Sequence, residues 1–153
     1  MRLGLRLTGI PVLENDAVKI EARGHRFWLA GLGDQIAFRL AGSRFRGVDD
    51  LPGTLAKISD DDPVLLLVHE PDIFVEVPDR VSITLAGHTH GGQVLLPGLG
   101  RPVVPSKYGQ RFAYGHIVEQ GRHMVVSGGL GCSTLPVRFM VPPEITVVTV
   151  TGR

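Results

Sequence analysis

The chain has 153 residues, of which 43% are hydrophobic and 20% are charged, and its formal net charge at pH 7 is +1. This length allows one domain and is short for two. Because the net charge is close to zero and the Lys and Arg residues are scattered, the sequence indicates no nucleic-acid-binding surface. The single cysteine, Cys132, excludes an intramolecular disulfide, and its small neighbours favour a buried thiol.

Membrane insertion is not indicated by any part of the sequence. No segment approaches the about 20 consecutive apolar residues of a membrane-spanning helix. The first four residues lack the apolar region of a signal peptide. We therefore expect the chain as written to be cytoplasmic and without a transmembrane segment, while the location of the protein stays open.

The first third of the chain predicts a β-hairpin followed by a loop. Residues 17–21 alternate apolar and polar, Arg23 and Gly24 supply a turn, and residues 25–30 return as a second strand. Residues 31–50 are mixed and polar, which indicates a loop with at most a short helical turn.

Two short apolar runs predict buried strands in the middle of the chain. Residues 64–68 form a continuous apolar run, and residues 81–86 form a second one. Residues 51–59 favour a helix before the first run, and residues 71–77 favour a short helix between the two runs. If the two strands are parallel neighbours joined by this short helix, the residues that follow them meet at one edge of the sheet.

The second half of the chain predicts strands separated by loops rich in glycine and proline. Residues 112–119 and 123–127 predict another hairpin, and the alternating residues 144–150 predict a final strand. Residues 97–110 and 128–143 read as irregular loops. The fold class is therefore mixed α/β.

Three histidines directly follow the two buried strands. His69 comes after the first strand, and His88 and His90 come after the second, within Gly-His-Thr-His-Gly-Gly. The carboxyl ends of strands in α/β sheets are where sites are usually built. In an extended segment residues i and i+2 point the same way, and glycines let the backbone approach a ligand. Because imidazole is a favoured ligand of divalent transition metals, we expect His69, His88 and His90 to bind metal.

Each histidine also has a plainer interpretation. A histidine at a strand end is often a hydrogen-bonded surface residue, which applies to His69 taken alone. The glycine-flanked pair of His88 and His90 is explained less readily in that way. His25, His116 and His123 lie in strands or at hairpin turns, without glycine-rich surroundings or a partner, and are expected to be structural or exposed.

Two segments resemble the last two motifs of the calcineurin-like metallophosphoesterases. They are residues 68–72, Val-His-Glu-Pro-Asp, and residues 85–93, Leu-Ala-Gly-His-Thr-His-Gly-Gly-Gln. Residues 127–131 and 136–138 are similar to the continuation in one bacterial branch of that superfamily. The resemblance covers nearly the whole chain. It implies that residues 1–153 are a partial domain, the C-terminal half of a four-layer αββα sandwich without its N-terminal half.

The resemblance also implies a dinuclear centre of divalent ions, Mn, Fe or Zn. His69 and His88 would bind one ion and His90 the other, with the ions ~3.5–4 Å apart and a bridging hydroxide that attacks the phosphorus of a phosphate ester. The acidic motifs that supply the other ligands in the family are absent from this sequence. Gly33-Asp34 has the letters of one such motif but follows a different strand, so we do not expect Asp34 to be a ligand. Three neutral imidazoles alone would not offset the repulsion between two close ions.

Three functions therefore stay open. The first is hydrolysis of phosphomonoesters or phosphodiesters, with activity that requires the absent half. The second is a non-catalytic mononuclear site, in which three histidines leave one coordination position open. The third is an oligomerising fragment with empty histidines. We expect a homo-oligomer, because half of a sandwich would expose apolar sheet surface.

Overall fold

A computed structural model gives the fold for residue 5, residues 7–133 and residues 135–151. Within this part of the chain the strands are β1 (Asp16–Ala22), β2 (His25–Gly31), β3 (Phe38–Arg39), β4 (Phe45–Arg46), β5 (Val64–Leu67), β6 (Ile83–Ala86), β7 (Gly115–Glu119) and β8 (Arg122–Val126). Six of them form one sheet in the order β1-β2-β5-β6-β8-β7, and β3 pairs with β4 separately.

The large sheet is mostly parallel. Strands β2, β5, β6 and β8 run in the same direction, while β1 and β7 pair antiparallel at the two edges. Both predicted hairpins are present, as β1–β2 and β7–β8. The two apolar runs form β5 and β6, which are parallel neighbours. The structure therefore confirms the mixed α/β class.

Helical segments are few and short. Helix α1 (Leu51–Leu55) begins after Asp50, whose carboxylate accepts a hydrogen bond from the backbone N–H of Gly53 at 2.9 Å. It ends earlier than the predicted residue 59, because the chain tightens there into bonds between residues three apart. The predicted short helix between β5 and β6 is a 3₁₀ helix, Pro71–Val75.

One face of the sheet carries the hydrophobic core. Alternate residues of the four parallel strands are buried on it: Trp28, Ala30, Val64, Leu66, Ala86, Met124 and Val126. Helix α1 and the 3₁₀ helix add Leu51 and Phe74, and the ring of Phe74 lies edge-on to that of Phe112 at 5.9 Å. This packing holds the ends of β5 and β6 in place.

The opposite face of the sheet is covered less completely. Leu29, Leu65, Leu85 and Val125 alternate with the buried positions and are half-buried in the described part of the chain. The expectation that a second sheet or a second copy of the chain covers this face stays a prediction.

The predicted final strand at residues 144–150 is wrong. The segment forms no strand, and Ile145 and Val147 are 79% and 86% exposed. It lines a cavity together with Ile83 and Val125 instead of pairing with a strand. Alternation of apolar residues does not by itself produce a strand, because strand formation also depends on contacts with distant parts of the chain.

The prediction of a buried Cys132 is also wrong, since the residue is a free and exposed cysteine. It lies in the loop after β8, outside the packed face of the sheet, where the adjacent small residues offer no cover. Across the described ranges, no helix has the length and apolar character needed to span a membrane.

Candidate metal centre

The pairing of β5 with β6 brings His69 and His88 to one edge of the sheet. The backbone ladder continues past both strands, because Val68 N–H donates to the carbonyl of Leu85 and Gly87 N–H donates to that of His69, at 3.0 and 3.1 Å. Nδ1 of His88 consequently lies 3.3 Å from Nε2 of His69. This separation suits two nitrogen ligands at about 2.0–2.1 Å from one ion.

Glu70 adds an oxygen to this pair. One donor atom each of His69, Glu70 and His88 lie within 4.8 Å of one another. Glu70 is only 3% exposed, and its Oε2 accepts a hydrogen bond from the backbone N–H of Gln35 at 3.1 Å. Its Oε1 is buried and has no hydrogen-bond partner among the described residues. A buried carboxylate oxygen without a donor fits an adjoining cation.

Glu70 was not predicted as a ligand from the sequence, where it stands within the Val-His-Glu-Pro-Asp motif. A signal was present, because a charged residue directly after a continuous apolar strand is placed at the carboxyl edge beside His69. The burial of the Glu70 side chain could not be predicted from the sequence, because it depends on contact with the loop at residues 32–36.

Burial shapes the protonation of the site. It raises the pKa of Glu70, and it lowers the pKa of His88, which the neighbouring His69 lowers further. A lowered pKa keeps the imidazole of His88 neutral, as metal binding requires. A bound divalent cation would favour the ionised carboxylate of Glu70 and so reverse the effect of its burial.

The Gly-His-Thr-His-Gly-Gly segment is a tight turn, so its predicted extended conformation is wrong. His88 and His90 adopt left-handed backbone angles, with φ of 67° and 51°, and a 3₁₀ helix spans His90–Gly92. Gly91 is required here, because a Cβ at this position would come within 2.8 Å of Val141. Such angles are uncommon for residues other than glycine, and they concentrate at functional sites.

The turn directs His90 away from the three-donor cluster. Its Nδ1 lies 3.1 Å from the carbonyl oxygen of Gly131, in the loop that follows β8. The guanidinium of Arg138 donates to that same carbonyl and to the carbonyls of Gly128 and Gly129. His90 is close enough to lower the pKa of His88 further, but it lies outside the three-donor cluster, and Nε2 is its ring nitrogen that does not face Gly131.

Asp34 stands at the same edge, although the sequence analysis does not predict it to be a ligand. It follows β2, the parallel neighbour of β5, and its Oδ1 accepts a hydrogen bond from the backbone N–H of Ile36 at 2.8 Å. Its negative charge acts on both Glu70 and His88. Asp34 therefore contributes to the field of the site, while the three-donor cluster does not include it.

The other histidines lie elsewhere. His25 is exposed in β2. His116 and His123 were predicted to lack a partner, which is wrong: Nε2 of His116 lies 3.0 Å from Nδ1 of His123, and the two rings stack at 5.2 Å. The antiparallel register of β7 and β8 brings them together, an arrangement that sequence spacing alone does not reveal.

A nitrogen–nitrogen–oxygen donor set at the carboxyl edge of a parallel sheet is typical of a divalent metal site. Comparison with known proteins points in the same direction. The chain is 44% identical over 104 residues to an uncharacterized metallophosphoesterase, YkuE of Bacillus subtilis, covering 67% of this chain and 36% of that protein. It is 30% identical over 151 residues to an uncharacterized metallophosphoesterase of Aquifex aeolicus, covering 97% and 54%. It is 32% identical over 145 residues to the phosphodiesterase YaeI of Escherichia coli, covering 94% and 48%.

The chain belongs to the calcineurin-like metallophosphoesterase family. It spans about a third to a half of the length of these curated relatives. No family model matches it. No solved structure matches it either. The family implies the use of divalent metal, and the donors at His69, Glu70 and His88 fit such an ion.

Proposed function

We propose that this chain is part of a metal-dependent phosphoesterase that hydrolyses phosphomonoesters or phosphodiesters. The observation that carries the proposal is the set of His69, Glu70 and His88, whose donor atoms lie within 4.8 Å at the carboxyl edge of the parallel sheet. In this role the three side chains hold one divalent ion, and His90 is a ligand of a second ion in the complete site. The phosphodiesterase named among the relatives supports the same substrate class.

The residues at this edge have separate tasks in the proposal. A divalent ion polarises the phosphoryl oxygens and lowers the pKa of bound water. His69 and His88 hold the metal as neutral ligands, and Gly131 fixes the ring of His90 through Nδ1. The buried carboxylate of Glu70 offsets part of the positive charge of the ion. Further carboxylates from a preceding part of a longer protein would complete a dinuclear site, so we expect the chain alone to have little activity.

The test is turnover of an aryl phosphate monoester and an aryl phosphodiester, with and without added Mn²⁺ or Zn²⁺. We expect weak turnover from the chain alone and metal-dependent turnover from a protein that also contains the N-terminal portion found in the relatives. His88→Ala should abolish it, while His25→Ala, at an exposed position in β2, should not. Turnover that persists in His88→Ala, or that ignores added metal, would contradict the proposal.

The geometry also favours a second candidate, a mononuclear site that binds metal without catalysis. The observation in its favour is that Glu70 completes a three-donor set within this chain, while His90 lies outside that set. Three protein ligands and one open position are enough for a single zinc ion. One tightly bound ion per chain, with no turnover even in the longer protein, would support this candidate over the first.

We further propose that residues 1–153 act as one unit and form homo-oligomers. The support is the half-buried sheet face that carries Leu65, Leu85 and Val125. Light scattering at micromolar concentration should report a dimer or a larger species. A monomer would contradict this.

A further inference from the structure

A cavity of about 410 Å³ lies in the loops next to the candidate metal centre. Thr89, between His88 and His90, forms part of its wall together with Gln93, Val94, Val103, Leu135 and Val137. The segments that form it follow the carboxyl ends of β6 and β8, the edge at which the metal donors stand. Its volume is within the range of small-molecule sites.

Hydrogen bonds join the two loops around the cavity. Phe139 N–H donates to the carbonyl of Gln93 at 2.8 Å, and Leu95 N–H donates to the carbonyl of Phe139 at 2.9 Å. The Gln93 side chain adds bonds to the carbonyls of Leu135 and Val137, both at 2.8 Å. The cavity is therefore preformed between fixed segments, as ligand sites usually are.

The side chains of Gln93 and Thr89, two polar residues of the wall, are already engaged in hydrogen bonds. The carboxamide oxygen of Gln93 accepts from the backbone N–H of Ser133 at 2.6 Å, and its nitrogen donates to the two carbonyls named above. The hydroxyl of Thr89 donates to the carbonyl of Ala113 at 2.7 Å. The cavity consequently offers a ligand mainly the apolar surfaces of Val94, Val103 and neighbouring residues, so a polar or charged group would lose its hydration there without replacement.

We propose that this cavity binds the apolar alcohol portion of a phosphate ester whose phosphate is held at the metal centre. The inference rests on the proposed function and narrows it, because it assigns the substrate class to esters of alkyl or aryl alcohols. The position of Thr89 between the two histidines of the motif makes the connection: the cavity begins one residue from each.

The test measures, by titration calorimetry, the affinity of the zinc-loaded chain for three probes. Methyl phosphate reports on the metal centre, 1-hexanol on the cavity, and hexyl phosphate on the connection between them. Hexyl phosphate should bind at least about tenfold more tightly than methyl phosphate, because each methylene removed from water contributes about three- to fourfold in affinity.

The matched variants are Val103→Asp and Leu99→Asp. Both residues are apolar and belong to the same loop, and their exposures are similar at 72% and 75%, but only Val103 lines the cavity. Val103→Asp should remove the advantage of hexyl phosphate and abolish the binding of 1-hexanol. Leu99→Asp should change neither, and both variants should unfold at the same temperature as the parent chain.

Four outcomes would contradict the substrate class, the cavity assignment, the connection to the metal centre or the proposed function, respectively. Equal affinity for hexyl and methyl phosphate would overturn the substrate class while leaving the proposed function standing. Equal effects of Val103→Asp and Leu99→Asp would show that the alkyl chain binds elsewhere, which overturns the cavity assignment. Hexanol binding that Val103→Asp abolishes but that hexyl phosphate does not displace would overturn the connection to the metal centre. Absence of zinc-dependent binding of methyl phosphate, with or without binding of hexanol, would contradict the proposed function itself.

Discussion

Two pairs of histidines stand at nearly the same separation in this protein, and their surroundings differ. The ring nitrogens of His69 and His88 are 3.3 Å apart, and those of His116 and His123 are 3.0 Å apart. The first pair stands at the carboxyl ends of parallel strands beside the buried carboxylate of Glu70. The second pair stacks on an exposed hairpin, and the described part of the chain supplies it with no third donor within metal-binding distance.

The difference shows that proximity of two imidazoles is not sufficient for a metal site. The edge-on arrangement of His69 and His88, at 73° between ring planes, directs nitrogens toward common space, while the stacked pair lies at 19°. A third ligand with opposite charge then decides which pair retains an ion. We therefore expect the first pair to bind metal much more strongly than the second.

The largest effect should come from removing one histidine of each pair in turn. His88→Ala should weaken zinc binding by about 100-fold or more, since losing a ligand costs at least as much as losing a group that only orients one. His123→Ala should change the affinity less than about threefold. Competition with a zinc indicator measures both. Equal losses in the two variants would erase the distinction between the pairs.

Glu70→Gln tests the contribution of the carboxylate. The substitution keeps the size of the side chain and the acceptor for Gln35 N–H but removes the charge. Zinc affinity should fall by about 10- to 100-fold, while the stability of the metal-free chain to urea should stay unchanged or rise, because the substitution removes a negative charge that burial disfavours. Glu76→Gln, at an exposed position, is the control and should alter neither quantity. Unchanged zinc affinity in Glu70→Gln would remove Glu70 from the site.

Arg138→Lys tests how the loop after β8 orients His90. The guanidinium contacts the Gly131 carbonyl that faces Nδ1 of His90, and lysine cannot reproduce contacts with several carbonyls at once. Nitrogen NMR of the imidazole should show a mixture of tautomers in the variant and a single tautomer in the parent chain. A single unchanged tautomer in Arg138→Lys would show that the carbonyl is held without the arginine.

The smallest effect concerns stability in the metal-free protein. Burial lowers the pKa of His88 below its ordinary value of 6.5, so the unfolded chain binds a proton more readily than the folded chain. Stability should therefore fall as the pH drops below about 6.5, and His88→Gln should reduce this dependence. Urea unfolding at pH 7.5 and pH 5.5, with chelator present and His25→Gln as the control, measures the difference. An identical pH dependence in His88→Gln and the parent chain would contradict it.

Much of the sheet could be predicted from the sequence because local patterns define it. The apolar runs that became β5 and β6 end at His69 and shortly before His88, so the edge of the site followed directly. The hairpin formed by β7 and β8 followed from its turn at Gln120 and Gly121 in the same way. These features depend on neighbours in the chain.

The errors concern features that depend on distant contacts. The burial of Glu70 depends on the loop that covers it, and the pairing of His116 with His123 depends on strand register. The segment at residues 144–150 has the alternation of a strand but lines a cavity beside the sheet without pairing with it. Local sequence patterns predict none of these contacts.

Anomalous diffraction at the zinc absorption edge, from crystals of the zinc-loaded chain, would show directly where the ion binds. We expect an anomalous peak bounded by His69, Glu70 and His88, and none of comparable height at the stacked pair of His116 and His123. A peak between His116 and His123, with the edge of β5 and β6 empty, would contradict this expectation.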